Sequence, residues 1–179
     1  MMNIQSTITV EHARSKRQRI YRCVDYIGSN SKAYKEFGDS LNWSDCLEVP
    51  EWVYWDRNKI ELLMDVCGTV FLLPIIRLWI DAKKLSSIRE LLGDGLFELI
   101  LDRTPVNNNQ RNLFQLNDVI SSIHSSGSAV LIYSQSLRIR PWITGMLPTP
   151  KAKLEGDLAK QIFKHSLEII SLSVSEIDK

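Results

Sequence analysis

The hydrophobic pattern is most continuous over residues 60–80, where apolar side chains cover nearly every side of a helix. Between Leu62 and Ile76, the polar positions besides Cys67 and Gly68 fall on one edge, together with Glu61 one turn before: Glu61, Asp65 and Thr69. A helix with so narrow a polar stripe must be surrounded by other parts of the protein. This segment is therefore predicted to be the centre of the fold, with its thin polar edge exposed to water.

Local signals predict where this helix and the next begin and end. Asp56 can cap the free N–H groups of a first helical turn. Pro74 lacks a backbone N–H and its ring clashes with the preceding turn, so a kink or restart is predicted there, with residues 75–82 completing a helix. Gly93 is predicted to end the following helix. The buried face of that second helix is predicted from its spacing to contain Leu85, Ile88, Leu91 and Leu92.

The middle of the chain contains clear and ambiguous segments. A short helix is predicted over residues 96–101, ahead of Thr104 and Pro105. Asn117 or Asp118 opens another helix, which residues 125–128, with Gly127, are predicted to close. Residues 128–140 are helix or strand on this pattern. We favour a helix for the apolar run 129–133, and extended chain for 137–140, where apolar and basic residues alternate before Pro141.

The most regular amphipathic pattern spans residues 154–177 and predicts a final helix. Its polar side repeats at Lys160, Lys164, Glu168, Ser171 and Ser175. Its broad apolar side contains Leu158, Ile162, Phe163, Leu167, Ile170, Val174 and Ile177. Two interpretations of this apolar side stay open: all of it is internal core, or an uncovered part marks a site for a partner.

These elements predict an all-α fold, mainly helical, in the form of an irregular orthogonal bundle with long loops and at most one short edge hairpin. With 179 residues, 44% of them hydrophobic and 24% charged, the chain has the size and composition of one globular domain over 1–179. Within it we expect disorder over 1–9, a basic and aromatic part over 10–55, the core over 56–150, and the amphipathic helix over 151–177.

Charge and cysteine usage indicate the cellular compartment and the classes of partner. A net charge of +1 provides no long-range attraction to nucleic acid or anionic lipid. Residues 1–10 show no secretory signal, and the three cysteines lack a C-x-x-C spacing, which together predict the reducing cytoplasm: Cys23, Cys46 and Cys67. Only eleven uncharged residues separate Asp65 from Arg77, whereas a membrane-spanning helix needs about 20.

Residues that could carry chemistry are scattered. The histidines, His12, His124 and His165, lie on different segments without the spacing of helical metal ligands. The chain contains neither a G-x-S-x-G elbow nor a phosphate-binding loop, and Gly93-Asp94-Gly95 lacks the third glycine of a dinucleotide site. No catalytic, cofactor-binding or metal-binding residue and no small-molecule substrate is therefore predicted.

A basic stretch over residues 12–22 is the one feature that could contact nucleic acid, because clustered cations neutralise phosphates and release counterions. The residues concerned are Arg14, Lys16, Arg17, Arg19 and Arg22. Three interpretations stay open: a nucleic-acid contact, a docking patch for an acidic protein surface, and a solvated helix face.

The segment 62–101 resembles the SctK family of type III secretion proteins, also known as the YscK or HrpD family. The resemblance lies in residues 66–81, in Leu85 and Ile88, and in residues 92–101. The family shows a similar apolar helix with a glycine, a proline before an arginine-bearing turn, then Leu-Gly and a further apolar helix. Its structural core would correspond here to Gly68, Pro74, Arg77, Trp79, Leu92, Gly93 and Phe97.

The resemblance implies a cytoplasmic, non-enzymatic accessory protein of the injectisome sorting platform that supports protein export in virulence. Such proteins link the cytoplasmic domain of the inner-membrane ring protein SctD to the pods formed by SctQ, with SctL and the ATPase beyond, and meet the membrane only through the ring. From amphipathicity and charge, we expect the protein contacts at the basic residues 14–22 and at Lys160, Lys164 and Glu168.

Two other classes of function remain. The first is a small helical nucleic-acid-binding or regulatory protein that uses residues 14–22. The second is a small enzyme whose site is assembled from residues far apart in the chain.

Overall fold

A computed structural model describes residues 45, 48–79, 81–105, 118–151 and 153–177, with side chains as far as Ser173. The described residues form helices joined by turns and loops, and no strand occurs among them. The prediction of an all-α fold is therefore confirmed over these residues. The expected disorder over 1–9 and the basic stretch 12–22 lie outside them.

The described helices follow one another along the chain as a short 3-10 helix Glu51–Tyr54, α1 Arg57–Ile76, α2 Ala82–Leu92, α3 Asp94–Arg103, α4 Val119–Tyr133, α5 Arg140–Thr144 and α6 Gly156–Ile177. Backbone contacts group them into two compact units. One unit contains the 3-10 helix and α5, and the other contains α1, α2, α3, α4 and α6. The organisation of the whole chain as one domain stays a prediction.

In the first unit, an ion pair connects two segments far apart in sequence. Arg138 donates to the carboxylate of Asp45 at 2.6 Å, and that carboxylate is only 5% exposed. The extended chain predicted over 137–140 is wrong, because a turn leads directly into α5. Pro141 lies in the first turn of this helix, where a missing N–H leaves no hydrogen bond unmade.

In the second unit, α1 begins as predicted: Asp56 accepts a hydrogen bond from the Lys59 N–H at 3.0 Å. It then runs through Pro74 without restarting and ends at Ile76. The helix predicted over 75–82 is wrong, because the chain turns after Ile76 and Asp81 caps a new helix, α2, by accepting from the N–H groups of Lys83 and Lys84. Pro74 removes one backbone hydrogen bond, the one to the Val70 carbonyl, and the helix continues for only two more residues.

The core surrounds α1, which packs against α4, α6, α2 and α3. Leu63, Val66 and Leu73 are fully buried. The prediction that the polar edge of α1 faces water is correct for Glu61, which is exposed, and wrong for the other two positions: Asp65 is 7% exposed and Thr69 is 0% exposed. Neighbouring helices therefore enclose the part of the polar edge that follows Glu61.

The closest helix contact is the crossing of α1 with α4, where two glycines lie against carbonyl groups. A Cβ atom on Gly68 would stand 2.0 Å from the carbonyl oxygen of Ile123, and one on Gly127 would stand 1.9 Å from that of Met64. Both distances are far shorter than any nonbonded contact allows. The two backbones touch, and each glycine is required by the opposite helix.

The serine-rich part of α4 lies inside the helix and not at its end. The prediction that residues 125–128 close the helix is wrong, because α4 continues to Tyr133. The preferred helix for 129–133 is correct. Gly127 is a contact position in the middle of the helix, and the serines bind a neighbouring segment: Ser125 Oγ accepts from the Lys151 N–H at 2.9 Å, and Ser128 Oγ donates to the Pro148 carbonyl.

Helix α6 contacts the unit through a row of mostly small residues. Ala159 and Ser166 are 0% exposed and Ile169 is 1% exposed. The predicted apolar side is instead half-buried at each of its described positions: Leu158, Ile162, Phe163, Leu167 and Ile170. Ile162 and Ile170 reach the core, so this side of α6 is partly core and partly surface. No described helix is long and apolar enough to cross a membrane.

The crossing predicts a strong effect of one methyl group. We expect Gly68→Ala or Gly127→Ala to lower the free energy of unfolding by at least about 2 kcal/mol, because the new Cβ meets backbone that cannot rotate away. Gly95→Ala in α3 is the matched control, since nothing lies within 4 Å of its added Cβ. It should be neutral or stabilising by up to about 1 kcal/mol. Urea denaturation measures all three, and equal effects would contradict the described crossing.

Candidate functional site

The exposed side of α6 brings together charged and apolar side chains. Lys160, Lys164 and Glu168 follow one another at four-residue intervals and are all exposed. Phe163 and Leu167 fall between them on the same helical side and are half-buried. We call these five residues the α6 surface. It contains every residue of α6 that charge and amphipathicity predicted as a contact.

The charges of the α6 surface are only loosely held. Lys160 Nζ lies 3.4 Å from the Asp157 carboxylate, and both side chains are largely exposed. The Glu168 carboxylate lies 3.9 Å from His165 Nδ1. Exposed ion pairs of this kind contribute little to stability. These side chains are therefore available to bind another molecule. The other predicted contact residues, Arg14, Lys16, Arg17, Arg19 and Arg22, lie outside the described residues.

Arg77 joins the end of α1 to the end of α3. Its Nη2 donates to the carbonyl oxygens of Leu101, at 2.6 Å, and Thr104, at 2.8 Å. Carbonyls at a helix C-terminus lack internal partners and carry partial negative charge, so a guanidinium satisfies both needs. Arg77 is thus held by backbone, and its role in this structure is to fix the position of α3.

The other residues that carry the resemblance lie in α1, α2 and α3 or in the turns between these helices. Trp79 is half-buried beneath Lys84, whose Nζ lies 5.4 Å from the ring centroid. Gly93 has a φ of 79° where α2 ends and α3 begins, a backbone conformation that favours glycine. Leu92 is 8% exposed and Phe97 is 1% exposed. Pro74 is half-buried in the last turn of α1.

A threonine and a histidine meet where α3 ends. Thr104 Oγ1 lies 3.0 Å from His165 Nε2, a pairing that in hydrolases joins a nucleophile to its base. A base of that kind is oriented by a third group, whereas the nearest carboxylate, Glu168, is 3.9 Å from the ring and 59% exposed. The contact therefore attaches α6 to α3 and does not form a described catalytic triad.

A second pair lies at the α1–α4 crossing, with Asp65 buried and His124 partly exposed. His124 Nε2 lies 3.1 Å from Asp65 Oδ1, and the Asp65 side chain is 10% exposed. The approach falls outside hydrogen-bond geometry, and this oxygen has no hydrogen-bond partner among the described residues. Burial raises the pKa of Asp65 to about 6; the nearby His124 opposes this change and Glu61 adds to it. Periodicity gives no sign that the two residues meet, because they lie on different segments of the sequence.

Cys67 is buried at the contact between α1 and α6. Burial raises the pKa of its thiol to about 12, and the Ser166 hydroxyl partly offsets the increase by hydrogen bonding. Such a thiol stays protonated and unreactive at neutral pH. Among the described residues, no three histidine, cysteine or carboxylate side chains are grouped as ligands of a metal ion.

Comparison with known proteins leaves the function to be argued from the residues of this chain. No family model, curated protein sequence or solved structure matches it. The arrangements described above are of two kinds: buried contacts that hold helices together, and the α6 surface, which faces outwards. Only the second kind is placed to bind a partner.

The Arg77 junction predicts a measurable loss. We expect Arg77→Met to lower the free energy of unfolding by about 1–3 kcal/mol, because two carbonyl groups lose a charged donor. Arg57→Met is the control: Arg57 pairs with Glu61 on the surface with 90% of its side chain exposed, and its loss should lower the stability much less than the loss of Arg77. Chemical denaturation compares the two variants. Equal losses of unfolding free energy would show that the contacts of Arg77 with the two carbonyl groups do not stabilise the fold more than an exposed ion pair does.

Proposed function

We propose that this chain is a non-enzymatic adaptor of a bacterial type III secretion system, located in the cytoplasm and attached to the inner membrane through the secretion apparatus. The observation that carries the proposal is the segment 66–101, which resembles the SctK family in the order of its glycine, proline, arginine and Leu-Gly positions. In this chain, Gly68 and Arg77 are required for helix contacts. They have the structural roles expected of a family core.

The proposed mechanism is binding without turnover. Separate surfaces hold separate partners: the cytoplasmic domain of the ring protein SctD and the pod protein SctQ, with SctL and the ATPase beyond. The α6 surface and the basic residues 14–22 are the two proposed contact regions. An adaptor of this kind needs no cofactor and no small-molecule substrate.

The α6 surface is suited to a protein partner for two reasons. Its half-buried Phe163 and Leu167 offer apolar area that a partner helix can cover, and its lysines give such a contact orientation. The opposite side of α6 is anchored by Ala159, Ser166 and Ile169. Binding on the outer side therefore does not compete with the packing that holds the helix in place.

A two-partner binding assay tests the proposal. The tagged full-length chain is expected to retain both the SctD cytoplasmic domain and SctQ when each is supplied purified. The double variant Lys160→Glu, Lys164→Glu should weaken binding to one partner by roughly tenfold and leave the other unchanged, because charge reversal acts on one contact region.

The control is Lys83→Glu, an exposed lysine in the first turn of α2. It should leave both affinities unchanged, and the circular dichroism of all variants should match the parent chain. Failure of the parent chain to retain either partner would reject the adaptor. Binding to a generic DNA duplex that weakens steeply with salt would support the nucleic-acid alternative instead.

A further inference from the structure

We propose that Asp65 and His124 form a proton-dependent latch across the α1–α4 crossing, closed while Asp65 holds a proton and weakened once that proton is lost. The proposal concerns the fold of this chain and does not depend on the secretion role.

The position of the pair follows from the glycine contact. The carbonyl groups that press on the two glycines belong to Met64 and Ile123, and Asp65 and His124 are the next residues along each helix. The pair therefore spans the place where the two backbones are closest. Its atoms are 3.1 Å apart, with His124 36% exposed and Asp65 10% exposed. Protons can reach the pair through the partly exposed ring.

The protonation of Asp65 affects how tightly α1 and α4 are held together. With its proton present, Asp65 is a neutral acid and brings no charge into the crossing. With that proton lost, a buried carboxylate lies beside the His124 ring, and its Oδ1 has no hydrogen-bond partner among the described residues. An uncompensated buried charge is strongly unfavourable, so the helices are held less tightly in that state.

The direction of the pH dependence follows from Asp65. Its pKa rises from the ordinary value of 3.8 to about 6, chiefly because burial removes the carboxylate from water. A group with a raised pKa in the folded state stabilises the fold fully below its ordinary pKa, and that stabilisation is lost as the pH rises through the folded value. The latch is therefore expected to loosen between about pH 4 and pH 6, and to remain loosened at pH 7.

The other charges around the pair are accounted for. Besides His124, the charge that acts on Asp65 among the described residues is Glu61, one turn earlier on α1. Glu61 accepts from Arg57 at 2.8 Å. On the α4 side, Lys151 Nζ lies 3.4 Å from the hydroxyl of Ser121, one turn before His124.

The remaining neighbours of α1 bring no described charge to Asp65. The positions that α6 buries in this unit are Ala159, Ser166 and Ile169, none of them titratable. Between α2 and α3, Arg89 is occupied by Asp94 and Glu98, at 3.1 Å and 2.5 Å. The described charges that act on Asp65 are therefore those of His124 and Glu61.

Two buried oxygens favour a crossing that can open. Asp65 Oδ1 and Thr69 Oγ1, one turn apart on α1, have no hydrogen-bond partner among the described residues. Water would satisfy both if the helices separated slightly, which offsets part of the lost packing. The crossing therefore combines a tight backbone contact with a polar edge that gains partners on opening.

Hydrogen exchange on the full-length chain tests the latch. After correction for intrinsic exchange rates, amides of residues 64–69 and 123–128 should exchange faster as the pH rises, by up to about tenfold per pH unit between about pH 4 and 6, the limit for loss of one proton. Asp65→Asn keeps the shape of the side chain and removes its titration. It should abolish this increase.

His165→Gln is the matched control, because His165 pairs with Thr104 at another helix contact. It should keep the pH dependence of the crossing. A second measurement on the unmodified chain, the NMR titration of the Asp65 carboxyl carbon, should follow the exchange data. Exchange at the crossing that does not change with pH in the unmodified chain, or a pH dependence that survives in Asp65→Asn, would overturn the proposal.

Discussion

The contact of two glycine-bearing backbones fixes the second unit. Gly68 and Gly127 each lie against a carbonyl group of the other helix, so α1 and α4 have only one register in which they can approach this closely. That register determines which side chains meet. It brings His124 against Asp65 and encloses Asp65 and Thr69 on α1. A larger residue at either glycine would separate the helices and change every contact between them.

Packing around this crossing explains why α6 has two different sides. The helix approaches the core through Ala159 and Ser166, which are short enough to let its backbone come close. Its larger apolar residues consequently lie to the flank, half-buried beside the exposed lysines. The mixed character of the α6 surface is thus a result of how the core is packed, and this surface is where the proposed adaptor would meet a partner.

Local signals in the sequence predicted the helical class, the caps at Asp56 and Gly93, and the exposed charges of α6, because each depends on neighbours within one or two turns. The predictions are wrong where the environment of a residue depends on a contact with a segment far away in the sequence. Gly127 lies in a serine- and glycine-rich stretch that is typical of a helix end. In the structure it lies inside α4, against the Met64 carbonyl of α1. Asp65 and Thr69 have the spacing of a solvent-exposed polar edge, yet both are buried where α1 packs against α4. The pairs Asp65–His124 and Thr104–His165 join segments that periodicity treats separately.

The segment that follows α5 is attached to α4 through its main-chain atoms, which affects how freely its side chains can change during evolution. Ser128 binds the carbonyl of Pro148, and Ser125 binds the amide of Lys151, so both anchors recognise main-chain atoms. Main-chain recognition is indifferent to residue identity. Homologous chains that retain the two hydroxyls can therefore vary the exposed side chains at 148 and 149 without rerouting the polypeptide, whereas Leu147 is buried and constrained by its packing.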